Sequence, residues 1–172
     1  MAGTKGKQTV RDMLLSLGLI GIMAGVIYIF IPHDDSEPPL KRVDYRVELL
    51  TARRAASYPV AAPEGLPGTW KATSVRYDGA EFDAWHLGFH DPEGQYVAIE
   101  QSTQRAPVFI DAASQGAAAT KVSERIGDRT WQRYKGDKYD ALVLQGKGST
   151  TVVTGTASFG QLAKMAGALK MS

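Results

Sequence analysis

Residues 82–102, FDAWHLGFHDPEGQYVAIEQS, decide the fold. Phe82 to His90 alternates: Asp83, Trp85, Leu87 and Phe89 share one parity, so three bulky apolar groups face a core. His86 and His90 fall on the polar side. Asp91-Pro92-Glu93-Gly94 has the composition of a tight turn. Tyr96 to Ser102 then returns with Val97 and Ile99 inward. Strand, turn and returning strand make an antiparallel pair.

Reading toward the C-terminus, Ala106 to Ala119 is small and mixed, part strand and part loop. Lys121 to Ile126, Thr130 to Tyr134, Ala141 to Gln145 and Thr150 to Thr156 read as further strands. Gly127-Asp128, Gly136-Asp137 and Gly146 to Ser149 separate them as tight hairpins. Ser158 with Gln161 fits a capping box, and Phe159, Leu162, Met165, Ala166 and Leu169 recur at helical spacing. Reading toward the N-terminus, Trp70 to Tyr77 is a strand and Tyr58 to Gly68, with three prolines, an ordered loop. Thr51 is placed to cap a short helix over Ala52 to Ala56, which Pro59 ends. Arg42 to Leu49 puts Val43, Tyr45, Val47 and Leu49 on one parity and reads as a first strand. Trp70, Trp85 and Trp131 are expected in the core. Many short strands with a helix at each end give an α+β fold with a largely antiparallel sheet.

Ahead of this domain, Met13 to Ile31 reads MLLSLGLIGIMAGVIYIFI, 19 residues without a charge. A helix of that length spans roughly 28 Å, close to the hydrocarbon thickness. A cleavable signal peptide would have an apolar run of about 7–15 residues ending in a small-x-small site. Here Ala24-Gly25 is followed by six more apolar residues, so an uncleaved anchor is expected. Lys5, Lys7 and Arg11 precede the run and Asp34, Asp35 and Glu37 follow it, which places the N-terminus in the cytoplasm and the C-terminal domain outside. The expected organisation is a cytoplasmic tail (1–12), a transmembrane helix (13–31), a proline-containing tether (32–42) and an extracytoplasmic α+β domain (43–172). Gly21 and Gly25 form a GxxxG pair that permits helix self-association.

Composition narrows the function. The chain of 172 residues is 44% hydrophobic, 9% aromatic and cysteine-free, which excludes disulfides, thiol catalysis and Cys-ligated zinc. Beyond residue 12 the charges balance. Without a dense Lys/Arg stripe nucleic-acid binding is not expected, and Arg53-Arg54, Arg125, Arg129 and Arg133 read as solvated faces. His86 and His90, four apart on a strand, are separated by about 13 Å, too far to share an ion, and His33 sits in the tether. Gly146-Lys147-Gly148-Ser149-Thr150 echoes a phosphate loop, but Gly148 follows Lys147 and Ala141 stands where a glycine is needed; a hairpin turn explains it. No G-x-S-x-G and no S-x-x-K is present. Asp83, Asp91, Glu93 and Glu100 are the carboxylates near enough in sequence to pair. No catalytic, cofactor-binding or metal residue is assigned, and no cofactor is expected.

Three stretches carry a resemblance: Ala52-Arg53-Arg54-Ala55-Ala56-Ser57-Tyr58-Pro59-Val60; Pro63-Glu64-Gly65-Leu66-Pro67-Gly68-Thr69-Trp70 with Thr73-Ser74-Val75-Arg76-Tyr77; and Gly127-Asp128-Arg129-Thr130-Trp131 with the ending Thr154-Gly155-Thr156-Ala157-Ser158-Phe159. With the basic tail, anchor and tether, the chain resembles an uncharacterised family of membrane-anchored actinobacterial proteins, a domain of unknown function. The resemblance implies a cell-membrane location and transfers no catalytic residue. A weaker likeness over residues 58–102 and 150–169 is to exported sensor domains of some bacterial anti-sigma factors. The expected function is a non-enzymatic envelope module that binds an envelope ligand or membrane partner. The alternatives are an envelope enzyme with a dispersed active site, and a structural partner in a membrane complex.

Overall fold

The computed structural model describes residues 5–30 and 42–172, in two units. The first is helix α1 (Lys5–Phe30). Its stretch Val10–Tyr28 is long and apolar enough to cross a membrane, a property shared with signal sequences. Leucines and isoleucines along it are exposed. The tether, apart from Arg42, lies outside the described residues.

The second unit is α+β. Seven strands form one antiparallel sheet: β2 (Lys71–Asp78), β3 (Ala84–His90), β4 (Tyr96–Ser102), β5 (Ala118–Ile126), β6 (Arg129–Lys135), β7 (Asp140–Gln145) and β8 (Thr150–Gly155). Their spatial order is β2-β3-β4-β8-β7-β6-β5. Two meanders, β2 to β4 and β5 to β8, therefore meet where β4 pairs with β8. Helix α3 (Ala106–Ser114) carries the chain from the centre to the far edge. A small second sheet pairs β1 (Ala61–Pro63) with β9 (Leu169–Met171).

The period-two pattern sorts the two faces of the large sheet. Trp85, Leu87, Phe89, Val97, Ile99, Trp131, Leu142 and Val153 share the core face, covered by α4 (Phe159–Ala168), the small sheet and Ala52 of α2 (Arg46–Ala55). All three tryptophans are buried, as expected. Ser158 caps α4, its hydroxyl accepting from the Gln161 amide N–H, and Leu162 and Met165 are fully buried. The opposite face holds Ala141, Val143 and Val152 under Ile110 of α3. Because both faces are covered at its centre, every residue of β8 is buried.

Several local expectations are corrected. The helix expected over 52–56 is present but starts at Arg46, so residues 46–49 are helical, not strand: Tyr45, Leu49, Ala52 and Ala56 pack on the core at helical spacing, while Val47, on the alternating parity, is 70% exposed. Thr51 lies mid-helix, its hydroxyl donating to the Val47 carbonyl rather than capping. Residues 106–114 are helical too: Ala106, Phe109, Ile110 and Ala113 make an i, i+3, i+4, i+7 face, Pro107 sits in the first turn, and left-handed Gln115 ends it. The loop over 58–68 contains β1, which pairs with Leu169–Met171, so the buried Leu169 belongs to a strand beyond the helix end. Finally, β3 starts at Ala84, because Phe82 and Asp83 both take left-handed backbone.

Candidate functional site

Two places in the described domain gather polar chemistry, one on each face of the large sheet. The first is a cleft of about 640 Å³ built from residues 42–46, the inner side of α2 and the loop after β1. Val43 N–H bonds to the Ala72 carbonyl and lays this segment beside β2. Tyr45, Leu49, Leu66, Trp70 and Phe89 give the cleft its apolar lining. Tyr45 stands edge-on to Phe89 with centroids 5.8 Å apart. Burial raises the Tyr45 phenol above its ordinary range, so it stays a neutral donor.

Three guanidinium groups line the same cleft, with different commitments. Arg42 Nη2 donates to the carbonyls of Gly68 (2.6 Å) and Trp70 (3.4 Å) and fastens the loop. Arg46 pairs with Asp44 at 3.3 Å in solvent. Arg53 has no ion pair among the described residues, and its Nε is buried without a partner, as is Nε1 of Trp70. A buried donor left unmet costs about 1–3 kcal/mol. Arg53 is therefore not the solvated residue its sequence position suggested; it is half-buried in the cleft wall. Glu64 is the other carboxylate in the lining.

The second place crosses β2, β3 and β4 on the opposite face. His86 stands directly across from Glu100 in the register, and its Nδ1 lies 2.6 Å from Glu100 Oε1. Its Nε2 lies 2.8 Å from Ser74 Oγ. A bulge between Ala72 and Ser74 sets this up. The extra residue lets Ala72 point into the core beside Phe89 while Ser74 points to the outer face. Ser74 pairs with Gly88, whose missing side chain leaves the room: a Cβ there would come within 2.3 Å of Ser74 Oγ and 2.8 Å of the Tyr96 hydroxyl.

The other carboxylates singled out in the sequence do not join this group. Asp83 accepts from Ser57 Oγ (2.6 Å) and Tyr77 Oη (2.9 Å), which hold its carboxyl below the usual range, Ser57 most. Tyr77, chiefly desolvated, is pushed up to about 12. The Phe82 carbonyl accepts from Thr103 N–H, Thr103 Oγ1 and Ser102 Oγ, so this knot pins the left-handed turn. Asp91 Oδ1 takes the amides of Glu93 and Gln95 in the hairpin, and Glu93 meets Gln161 at 3.2 Å. His90 packs on Tyr96, centroids 5.8 Å apart. Gly146–Ser149 is a hairpin turn closed by Gly146 N–H to the Ser149 carbonyl. Arg133 pairs with Glu124 at 2.6 Å and lies 4.6 Å over the Phe159 ring. Among the described residues no group of three His, Asp or Glu side chains is placed to hold a metal ion.

Residues 5–169 match the family described as protein of unknown function (DUF4245). The chain belongs to DUF4245. The match runs from the first described residue of α1 to the first residue of β9, so it takes in the apolar helix and both polar sites. No curated protein and no solved structure matches the chain. DUF4245 membership supplies no residue roles, and the chemistry rests on the geometry of this chain. What sequence reasoning missed was Ser74 and Arg53. Ser74 reaches His86 only through a bulge, and Arg53 enters the cleft only because residues 46–55 are helical.

Proposed function

We propose that this DUF4245 chain is a single-pass membrane protein whose extracytoplasmic domain is a binding module, and that its cleft takes an acyl chain bearing an acidic head group. Two residues that line one apolar cleft, Arg53 and Trp70, each hold a buried side-chain donor without a partner, and this carries the ligand reading. An anionic head that reaches the Arg53 guanidinium makes charge-assisted hydrogen bonds, which are about twice as strong as neutral ones. The apolar body rests on Tyr45, Leu49, Leu66 and Phe89. A cleft of about 640 Å³ is within the usual range for small-molecule sites. Arg42 and Arg46, already held by carbonyls and by Asp44, set the positive surroundings.

Full-length protein in neutral phosphatidylcholine nanodiscs, titrated with octyl phosphate and octanol while tryptophan emission is followed, tests this. Octyl phosphate is expected to bind and octanol to bind at least tenfold more weakly. Arg53→Ala should weaken octyl phosphate about tenfold or more, the equivalent of about 1.4 kcal/mol, with little change for octanol. Equal affinities for the two amphiphiles, or an unaffected Arg53→Ala, would exclude the acidic-head reading.

Support for the anchor and its direction comes from α1 and from the basic residues ahead of it. The expected topology is N-terminus in the cytoplasm and domain outside the cell membrane. A reporter that fluoresces only in the cytoplasm, attached after Ser172, should stay dark in intact cells while the fusion is full length. Bright signal from intact fusion would reverse the topology. Neutralising Lys5, Lys7 and Arg11 should increase the misoriented fraction. Gly21 and Gly25 on α1 form a GxxxG pair, the spacing that permits close approach of a second helix.

A further inference from the structure

We propose that Ser74, His86 and Glu100 are the nucleophile, general base and base-orienting carboxylate of an esterase or acyl-transfer site, with the Tyr96 hydroxyl as the donor to the oxyanion. Nothing in the cleft reading requires this; the two sites lie on opposite faces of the large sheet. The order of contacts is the one acyl transfer needs: hydroxyl to imidazole at 2.8 Å, imidazole to carboxylate at 2.6 Å. Glu100 offers only acceptors, so it fixes the proton on Nδ1 and leaves Nε2 to take the proton of Ser74. His86 and Glu100 keep partial exposure, 28% and 21% of their side chains, so the pair is sheltered yet reachable. Gly88 supplies the remaining element. Its bare Cα leaves the space into which Ser74 Oγ and Tyr96 Oη both reach, 2.3 Å and 2.8 Å from where a Cβ would sit. A hydroxyl donor beside the nucleophile is where charge develops on a carbonyl oxygen under attack.

Binding space lies on both sides of Glu100. A hollow of about 380 Å³ holds His86, Phe82, Phe109 and Ala112, and one of about 350 Å³ holds Tyr96, Phe109, Ala112 and Tyr139. Glu100, Phe109 and Ala112 belong to both, so the two hollows run together along α3, with His86 in one and Tyr96 in the other. Their mixed lining suits an ester with a short acyl chain. In the first half-reaction Ser74 Oγ bonds to the ester carbonyl carbon as its proton passes to His86 Nε2. The ester C–O bond then breaks, and His86 gives that proton to the departing alcohol. In the second half-reaction water adds to the acyl-serine carbonyl, its proton passing to His86. The Ser74 C–O bond breaks, His86 returns the proton to Ser74 Oγ, and the products are the carboxylic acid and free enzyme. An acceptor alcohol in place of water completes acyl transfer instead.

The test uses the full chain in nanodiscs, an alkyl fluorophosphonate, and p-nitrophenyl butyrate. Tandem mass spectrometry should find the phosphonyl group on Ser74. Hydrolysis of p-nitrophenyl butyrate should fall at least 100-fold in Ser74→Ala and His86→Gln, with the melting temperature of each variant within a few degrees of the parent. Tyr96→Phe should lower the acylation rate at least tenfold with KM little changed, which a loss of packing would not reproduce. A phosphonyl group on other residues only, no adduct on folded protein, or hydrolysis by Ser74→Ala at the parent rate would each overturn the assignment. If a variant unfolds, adduct formation on the folded parent decides the matter alone.

Discussion

Gly155→Ala is expected to unfold the domain or remove at least about 4 kcal/mol of its stability, a large share of the 5–15 kcal/mol of an ordinary domain. Gly155 ends β8 at the centre of the large sheet, paired with Val97 on one side and Asp140 on the other. Its φ of +156° lies at the margin of the region that disfavours side chains, and the larger problem is space. A Cβ would lie 1.9 Å from the Tyr96 carbonyl oxygen and 2.8 Å from its carbon. That carbonyl also accepts from Thr156 N–H at 3.0 Å, so the backbone is held where the clash occurs. Relief requires β4 to move, and with it Val97, Ile99 and the Tyr96 hydroxyl. Gly94 is the control. It has a positive φ of 79° but nothing within 4 Å of a Cβ, so Gly94→Ala should cost only the conformational penalty, about 1–2 kcal/mol. Denaturant titration followed by tryptophan emission reports on the domain alone, since residues 70, 85 and 131 are the only tryptophans. Equal losses in the two variants would mean that β8 does not sit against β4 as described.

Trp85→Ala should cost about 3–5 kcal/mol, the usual range for truncating a buried large aromatic. Trp85 is 1% exposed, and its Nε1 donates to the Ala61 carbonyl at 2.9 Å. It thus ties β3 of the large sheet to β1 of the small one. Trp85→Phe separates the two contributions: the ring volume is largely kept, and the Ala61 carbonyl loses its side-chain donor. The expected cost is about 1–3 kcal/mol. Were Trp85→Phe as damaging as Trp85→Ala, the hydrogen bond rather than the packing would dominate at this position. Thermal or denaturant unfolding of both variants settles the order.

Much of the fold was legible because one property, the parity of apolar residues, survives in a half-covered strand. Trp85, Leu87 and Phe89 announce β3, and Ser158 with Gln161 announces α4. The pattern misled where a segment satisfies both periods. Tyr45 and Leu49 are four apart, which is in phase for a strand and for a helix, and only Ala52 and Ala56 continue the helical series. Residues 106–114 hid because alanines carry little hydrophobic contrast, although Phe109 and Ile110 are adjacent, as an amphipathic helix permits and a one-faced strand does not. Three-residue β1 and β9 were out of reach, since their pairing joins residues far apart in the chain. The relay divides the same way. His86 and Glu100 are visible as outward residues of neighbouring strands, and counting back through the hairpin puts them opposite one another. Ser74 is not, because an ordinary strand over 71–78 would give it the parity of Ala72, and only the bulge at Thr73 separates them.

The most direct test of the binding account is photo-crosslinking in the full-length chain with an acyl phosphate analogue carrying a diazirine in its chain, read by peptide mass spectrometry. Adducts concentrated in residues 42–49 and 62–72, and displaced by excess octyl phosphate, are the predicted result. Adducts confined to the hollows along α3, or spread over the surface and undiminished by competitor, would contradict the assignment of the cleft as the ligand site.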